Sequence, residues 1–170
     1  VFLLKHEKET QEKYDQSVEF RTNDRGVKLR RVFGNVEEAQ VMAKVFQTGG
    51  SSTLTIQKGV DWVVNTQKAP ILSLSLGSNT LSLQTSIQNA VTKGTLITAA
   101  LGNDGKTTSA SWPAEFAKAS WAKGQIIAVG AVDASNKRAS FSNYDPTLAS
   151  WTVYAPGVNV ASSYSVPSVQ

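Results

Sequence analysis

Thr95-Leu96-Ile97-Thr98-Ala99-Ala100-Leu101-Gly102-Asn103-Asp104-Gly105 is the stretch whose reading decides the fold. Its first six residues carry no charge and do not alternate polar with apolar. That is the pattern of a strand buried on both faces of a parallel sheet. The run then breaks into Gly-Asn-Asp-Gly, residues that tolerate turn conformations. Similar runs lie on either side: Val41-Met42-Ala43-Lys44-Val45-Phe46, Ile71-Leu72-Ser73-Leu74-Ser75-Leu76, Gln125-Ile126-Ile127-Ala128-Val129-Gly130 and the shorter Thr152-Val153-Tyr154-Ala155.

Helical patterns separate the first three runs. Ser51 or Ser52 can cap a helix that carries Leu54, Ile56, Val60 and Val63 towards the sheet. Ser82 can cap another, with Leu83, Ile87, Ala90 and Val91 on one face and Gly94 ending it. Strand, helix, strand, helix, strand predicts right-handed crossovers. The expected fold class is α/β, a mainly parallel sheet flanked by helices on both faces, with strands over 41–46, 71–76, 95–100 and 125–130. In open α/β sheets ligands bind beyond the carboxyl ends of the strands. That rule points to Ser75-Leu76-Gly77 and to Leu101-Gly102-Asn103.

Composition changes near Gly34. Residues 1–33 are crowded with charge of both signs and read as an exposed helix or arm rather than core. Residues 34–161 form the expected core, and 162–170 a Ser-rich tail. The chain has 170 residues, enough for one domain, and 41% hydrophobic with 18% charged residues fits a globular protein. No stretch reaches the roughly 18 apolar residues of a membrane helix. The absence of cysteine excludes disulfides, thiolate metal sites and a cysteine nucleophile. A net charge of +4, with only Lys28 to Arg31 as a basic cluster, does not make a nucleic-acid surface.

Gly102-Asn103-Asp104-Gly105 has two readings on its own. One is a plain turn. The other is an amide donor, held by a rigid strand end, that is already oriented when negative charge develops on a reacting oxygen. The wider pattern bears on the choice. Residues 34–46 (Gly-Asn-Val-Glu-Glu-Ala-Gln-Val-Met-Ala-Lys-Val-Phe), 59–63 (Gly-Val-Asp-Trp-Val), 74–77 (Leu-Ser-Leu-Gly), 100–105 (Ala-Leu-Gly-Asn-Asp-Gly), 127–133 (Ile-Ala-Val-Gly-Ala-Val-Asp), 138–143 (Arg-Ala-Ser-Phe-Ser-Asn) and 155–158 (Ala-Pro-Gly-Val) follow one another in order. Together they closely resemble the subtilisin-like serine peptidase family. Trp112-Pro113-Ala114 and the short insert before Gly124 resemble its autotransporter-type branch.

The resemblance implies a secreted or cell-surface serine endopeptidase acting on an extended peptide or protein. By its pattern Asn103 matches the side-chain amide of the oxyanion hole. Ser75, Leu76 and Gly77 match the strand that pairs with substrate and forms one wall of the specificity pocket. Ala100, Leu101 and Gly102 match the opposite wall. Such a peptide adds to an exposed strand edge, and glycine at 77 and 102 lets its backbone come close. Leu101 stands where the family usually has a smaller residue and is expected to narrow the pocket. No cofactor is implied. The family often carries structural calcium, but Asp104, Asp133 and Asp145 are scattered and map onto no calcium loop.

The triad is not legible. The family's Asp-Thr/Ser-Gly, His-Gly-Thr and Gly-Thr-Ser-Met motifs do not occur in these 170 residues. The single histidine, His6 in Lys5-His6-Glu7-Lys8, matches none of them and reads as a surface residue. Ser162, Ser163, Ser165 and Ser168 have no nameable base and read as loop. Base, orienter and nucleophile work as a unit, so the chain by itself is expected to be inactive. Further segments or a second chain would complete the site. The competing reading is a non-catalytic relative that keeps the peptide-binding strands, which the divergent residues 1–33 favour.

Overall fold

A computed structural model describes residues 2–5, 20–22, 28–33, 39–46 and 51–160. Among them one sheet runs through β1 (Phe2–Lys5), β2 (Phe20–Thr22), β3 (Lys28–Phe33), β4 (Ala39–Ala43), β5 (Ile71–Leu74), β6 (Leu96–Ala100), β7 (Ile126–Val132) and β8 (Thr152–Pro156). Its spatial order is β2-β3-β4-β1-β5-β6-β7-β8. From β5 to β8 every neighbour is parallel. This is the parallel α/β core expected from the apolar runs, with β5 ending at Leu74 and β7 extending to Val132.

The first expected strand differs. It covers Ala39–Ala43 and lies antiparallel to both β3 and β1. Only five residues separate Phe33 from Ala39, whereas a parallel neighbour needs a crossover of about a dozen or more. The described parts of residues 1–33 are strands β1 to β3, in place of the exposed helix or arm expected from their charge. His6 and residues 162–170 lie outside the described residues.

Helix α1 spans Thr53–Asn65. Ser52 caps it, its Oγ accepting from the Thr55 N–H at 3.1 Å, which satisfies one of the amides a helix start leaves open. Ile56, Val60, Val63 and Val64 face inward, while Leu54, expected on that face, is 58% exposed. At about 100° per residue Leu54 lies roughly 160° from Ile56 and roughly 180° from Val63, on the opposite side of the helix. Gly59 faces Val45, two residues past the end of β4. A Cβ there would lie 2.4 Å from a methyl of Val45.

Helix α2 spans Gln84–Thr92 and is entered through a single 3-10 turn, Leu81–Leu83. Ser82 sits inside that turn and does not cap α2. Its carbonyl instead accepts from the Gln57 side chain at 2.6 Å, tying the entrance of α2 to α1. Leu83, Ile87, Ala90 and Val91 are buried as their spacing predicts. Gly94 ends the segment with φ +81°, a conformation that costs glycine little.

The core lies on one face of the sheet. Leu72 and Leu74 of β5, Ile97 and Ala99 of β6, and Ile126 and Ala128 of β7 align across the register and are at most 1% exposed. They share one cluster with the inward residues of α1, α2 and the 3-10 segments Ala114–Lys118 and Pro146–Trp151. Each fully buried leucine or isoleucine contributes about 1.5–3 kcal/mol. Ile71, Leu96, Ile127 and Val129, on the other face of the parallel strands, are half-buried.

Candidate functional site

Two strand ends open on the same side because β5 and β6 are parallel neighbours. Beyond them lies a groove of about 290 Å³. Ser75, Leu76 and Gly77 line it from the β5 side, continuing into Ser78 and Asn79. Ala100, Gly102, Asn103 and Asp104 line it from the β6 side, and Ser111 completes it. Six of the seven residues singled out from the sequence therefore meet around one groove. Ser75, Gly77 and Asn103 are exposed there. Asn103 lines the groove with its side chain exposed.

Leu101 is the exception. It is 1% exposed and absent from the groove lining. Its side chain packs towards β7, with Cδ1 3.1 Å from where a Cβ on Gly130 would sit. Its bulk therefore fills the core and does not narrow the groove. Alternation along an extended chain puts Leu101 on the face of Ala99, and that face is the buried one. Leu101 contributes its backbone, whose N–H donates to the Val129 carbonyl at 2.9 Å and whose carbonyl accepts from Ser111 N–H at 2.7 Å.

Two residues that the sequence did not single out shape the site. Ser111 is 6% exposed and lies against both walls. A Cβ on Gly102 would be 2.3 Å from its Oγ, and one on Gly77 would be 3.0 Å from its Cβ. Gly102 also has φ +103°, so both space and backbone conformation require glycine there. The segment after Ser111 is fixed by paired bonds between Ser78 and Trp112, 2.9 Å in each direction. Trp112 packs against Phe116 and Phe116 against Trp121 in tilted pairs, with ring centroids 4.5 Å and 5.2 Å apart.

Asn143 is the other. It is fully buried, and its Oδ1 accepts from the N–H groups of Asp104 and Lys106 at 3.0 Å each. Its Nδ2 donates to the Leu101 carbonyl at 3.1 Å. The Arg138–Asn143 block was legible as a pattern, but nothing local indicated which residues it would touch.

The groove lacks an imidazole among the described residues, and His6 lies outside them. Among the described residues, no group of three or more His, Cys, Asp or Glu side chains is placed to hold a metal ion. Asp133 instead accepts from the Ser135 and Lys137 N–H groups, and Asp145 pairs with Lys118. No described helix is long and apolar enough to cross a membrane. A groove at the ends of two parallel strands can receive an extended chain, but among the described residues no nucleophile with its base is recognisable there.

Comparison with known proteins agrees with this geometry. The model of the subtilase family matches residues 16–170. The chain is 39% identical to subtilisin Savinase of Lederbergia lenta over 137 residues, covering 78% of this chain and 46% of that one. It is 36% identical to a cuticle-degrading serine protease of Arthrobotrys oligospora over 149 residues, covering 85% of this chain and 34% of that one. Among solved structures, the prenylagaramide maturation protease PagA is similar with a TM-score of 0.51 and 28% identity, covering 63% of this chain and 38% of that one. The protease domain of PatA is similar with a TM-score of 0.54 and 25% identity, covering 66% of this chain and 41% of that one. The chain spans less than half the length of these relatives.

Proposed function

The chain belongs to the subtilase family, and from that premise we propose that it carries the substrate-binding strands and oxyanion hole of a serine endopeptidase. The observation that supports this most directly is the single groove shared by Ser75-Leu76-Gly77, Ala100, Gly102 and Asn103. In this reading an extended peptide pairs with the two strand ends, and its backbone hydrogen bonds supply affinity. The side chain before the scissile bond enters between the walls at Gly77 and Gly102. Asn103 donates its amide to the oxygen of the tetrahedral intermediate, where charge appears only as the reaction proceeds. The substrate is a peptide or protein met outside the cell or at its surface.

Catalysis needs the nucleophile, base and orienter to meet within hydrogen-bond reach. No such trio is recognisable in these 170 residues, so the chain alone should not hydrolyse peptides. Fluorophosphonate labelling of the isolated chain tests this. Labelling that disappears when one of its serines is changed would reveal a nucleophile and overturn that part of the reading. In an active full-length form, Asn103→Ala should lower kcat by about 10²–10³, the loss known for this donor in the subtilisin family, with little change in KM. An unchanged kcat would return Asn103 to a plain turn residue.

A further inference from the structure

We infer that Asn143 is a positioning residue for Asn103: its buried side-chain amide sets the shape of the loop that presents the Asn103 donor to the groove. The inference rests on the reading of Asn103 as that donor. A primary amide offers one oxygen with two lone pairs and two N–H donors. The Asn143 oxygen takes the Asp104 and Lys106 N–H groups. Its nitrogen gives one hydrogen to the Leu101 carbonyl and faces Asp104 Oδ2 at 3.4 Å with the other. The network also settles which atom is oxygen, since the reverse assignment would face N–H against N–H. The Asn143 backbone N–H adds a bond to the Gly102 carbonyl at 3.0 Å. Leu101 and Gly102 before Asn103, and Asp104 after it, are thus all tied to this one residue.

Its volume alone does not explain this. Asn143 is the one polar residue among the largest fully buried side chains. A leucine would fill such a space without the desolvation that a buried amide must recover through its bonds. Every side-chain bond of Asn143 goes to residues 101–106. Adjacent backbone bonds continue the clamp, from Gly105 N–H to the Phe141 carbonyl and from Tyr144 N–H to the Lys106 carbonyl, both at 2.8 Å. An oxyanion donor must stand within hydrogen-bond distance of an atom that exists only transiently, and a misplacement of about 1 Å can cost about 10²-fold in rate. A loop held on both sides of Asn103 by one buried amide supplies that fixity.

Asn143→Ala tests this with two readouts. In the 170-residue chain, the amide protons of Asp104 and Lys106 should exchange about tenfold faster, with those of β6 unchanged. In an active full-length form, kcat should fall about 10–100-fold while KM changes less than about threefold. If this variant does not fold, the near-isosteric Asn143→Asp carries the test. As a carboxylate it keeps the acceptor but loses both donors, and it regains one on taking up a proton. The charged groups around it are Asp104 with Lys106 beside it, Arg138 on the Ser142 carbonyl, and Asp145 with Lys118 and Glu115. Its Asp104 and Lys106 amide resonances should be displaced at neutral pH and return towards wild type as the pH falls. Unchanged exchange in Asn143→Ala, or resonances in Asn143→Asp that do not titrate, would overturn the inference. So would faster exchange with an unchanged kcat, provided Asn103→Ala lowers kcat. If Asn103→Ala is also silent, the reading of Asn103 has failed and the inference falls with it.

Discussion

Lys118 Nζ lies 2.5 Å from Oε2 of Glu115, one turn earlier in the 3-10 segment Ala114–Lys118. Glu115 is buried, and its other oxygen accepts from the Ala110 N–H at 3.0 Å. The same ammonium reaches Asp145 Oδ2 at 3.4 Å. Lys118 therefore joins two buried carboxylates and ties the segment after the groove to Pro146–Trp151. Buried carboxylates without a cation are costly, so the ammonium stabilises by what its removal would leave behind.

Lys118→Met should destabilise the chain. Breaking a buried pair costs about 3–5 kcal/mol. The Lys118 side chain is 39% exposed, so solvent screens part of this, and a loss of about 1–2 kcal/mol is expected. The urea midpoint measures it. A midpoint equal to that of the parent would mean that Glu115 and Asp145 are satisfied without the ammonium.

The same cluster predicts a stability plateau around neutral pH. Burial pushes the Asp145 carboxyl up, but hydrogen bonds from the Thr147 hydroxyl and N–H, and the charge of the Lys118 ammonium, hold it below the ordinary aspartate range. Its stabilisation is present above the unfolded value and is lost as pH falls through the folded one. The hydrogen bond to Glu115 holds Lys118 above the ordinary lysine range, against burial and with help from both carboxylates. Its contribution is present below the unfolded value and is lost as pH rises through the folded one. Urea midpoints against pH should show both limbs. Asp145→Asn should flatten the acid limb, and an unchanged limb would place its origin elsewhere.

Gly59→Ala decides between two opposed effects. Alanine improves helix propensity by about 1 kcal/mol over glycine. The new Cβ would meet a Val45 methyl at 2.4 Å, and a stiff β-branched neighbour cannot swing away as a long side chain would. Overpacking of this kind costs about 1–3 kcal/mol. The net result should be a lower thermal midpoint, and Val45→Ala in the same chain should recover much of the loss. A higher midpoint for Gly59→Ala alone would show that α1 can move off the sheet freely.

Ile97 and Ile127 separate the two faces of the parallel strands. Ile97 is 0% exposed, and Ile127 on the other face is half-buried. Ile97→Ala should cost about 2–5 kcal/mol, and Ile127→Ala distinctly less. Chemical denaturation of the two variants measures the difference. Equal losses would mean that the second face is covered as fully as the first.

Much of this architecture is legible along the chain. Charge-free runs at 71–76, 95–100 and 125–130 announce parallel strands, and β5, β6 and β7 lie within or across them. Ser52 and Gly94 mark helix ends because capping and positive φ are local properties. The meeting of Ser75-Leu76-Gly77 with Asn103 follows from the rule that parallel neighbours end on the same side. What the sequence could not determine were the partners brought from a distance. The same Ala39–Ala43 residues can pair parallel or antiparallel, and their neighbours decide it. Asn143 stands in the sequence only as the last residue of the Arg138–Asn143 block. Only the folded chain brings it to Asp104 and Lys106, 39 and 37 residues away, where its amide becomes a clamp. Periodicity records which face of an element is buried, but a polar side chain takes its role from whichever unpaired groups folding places beside it.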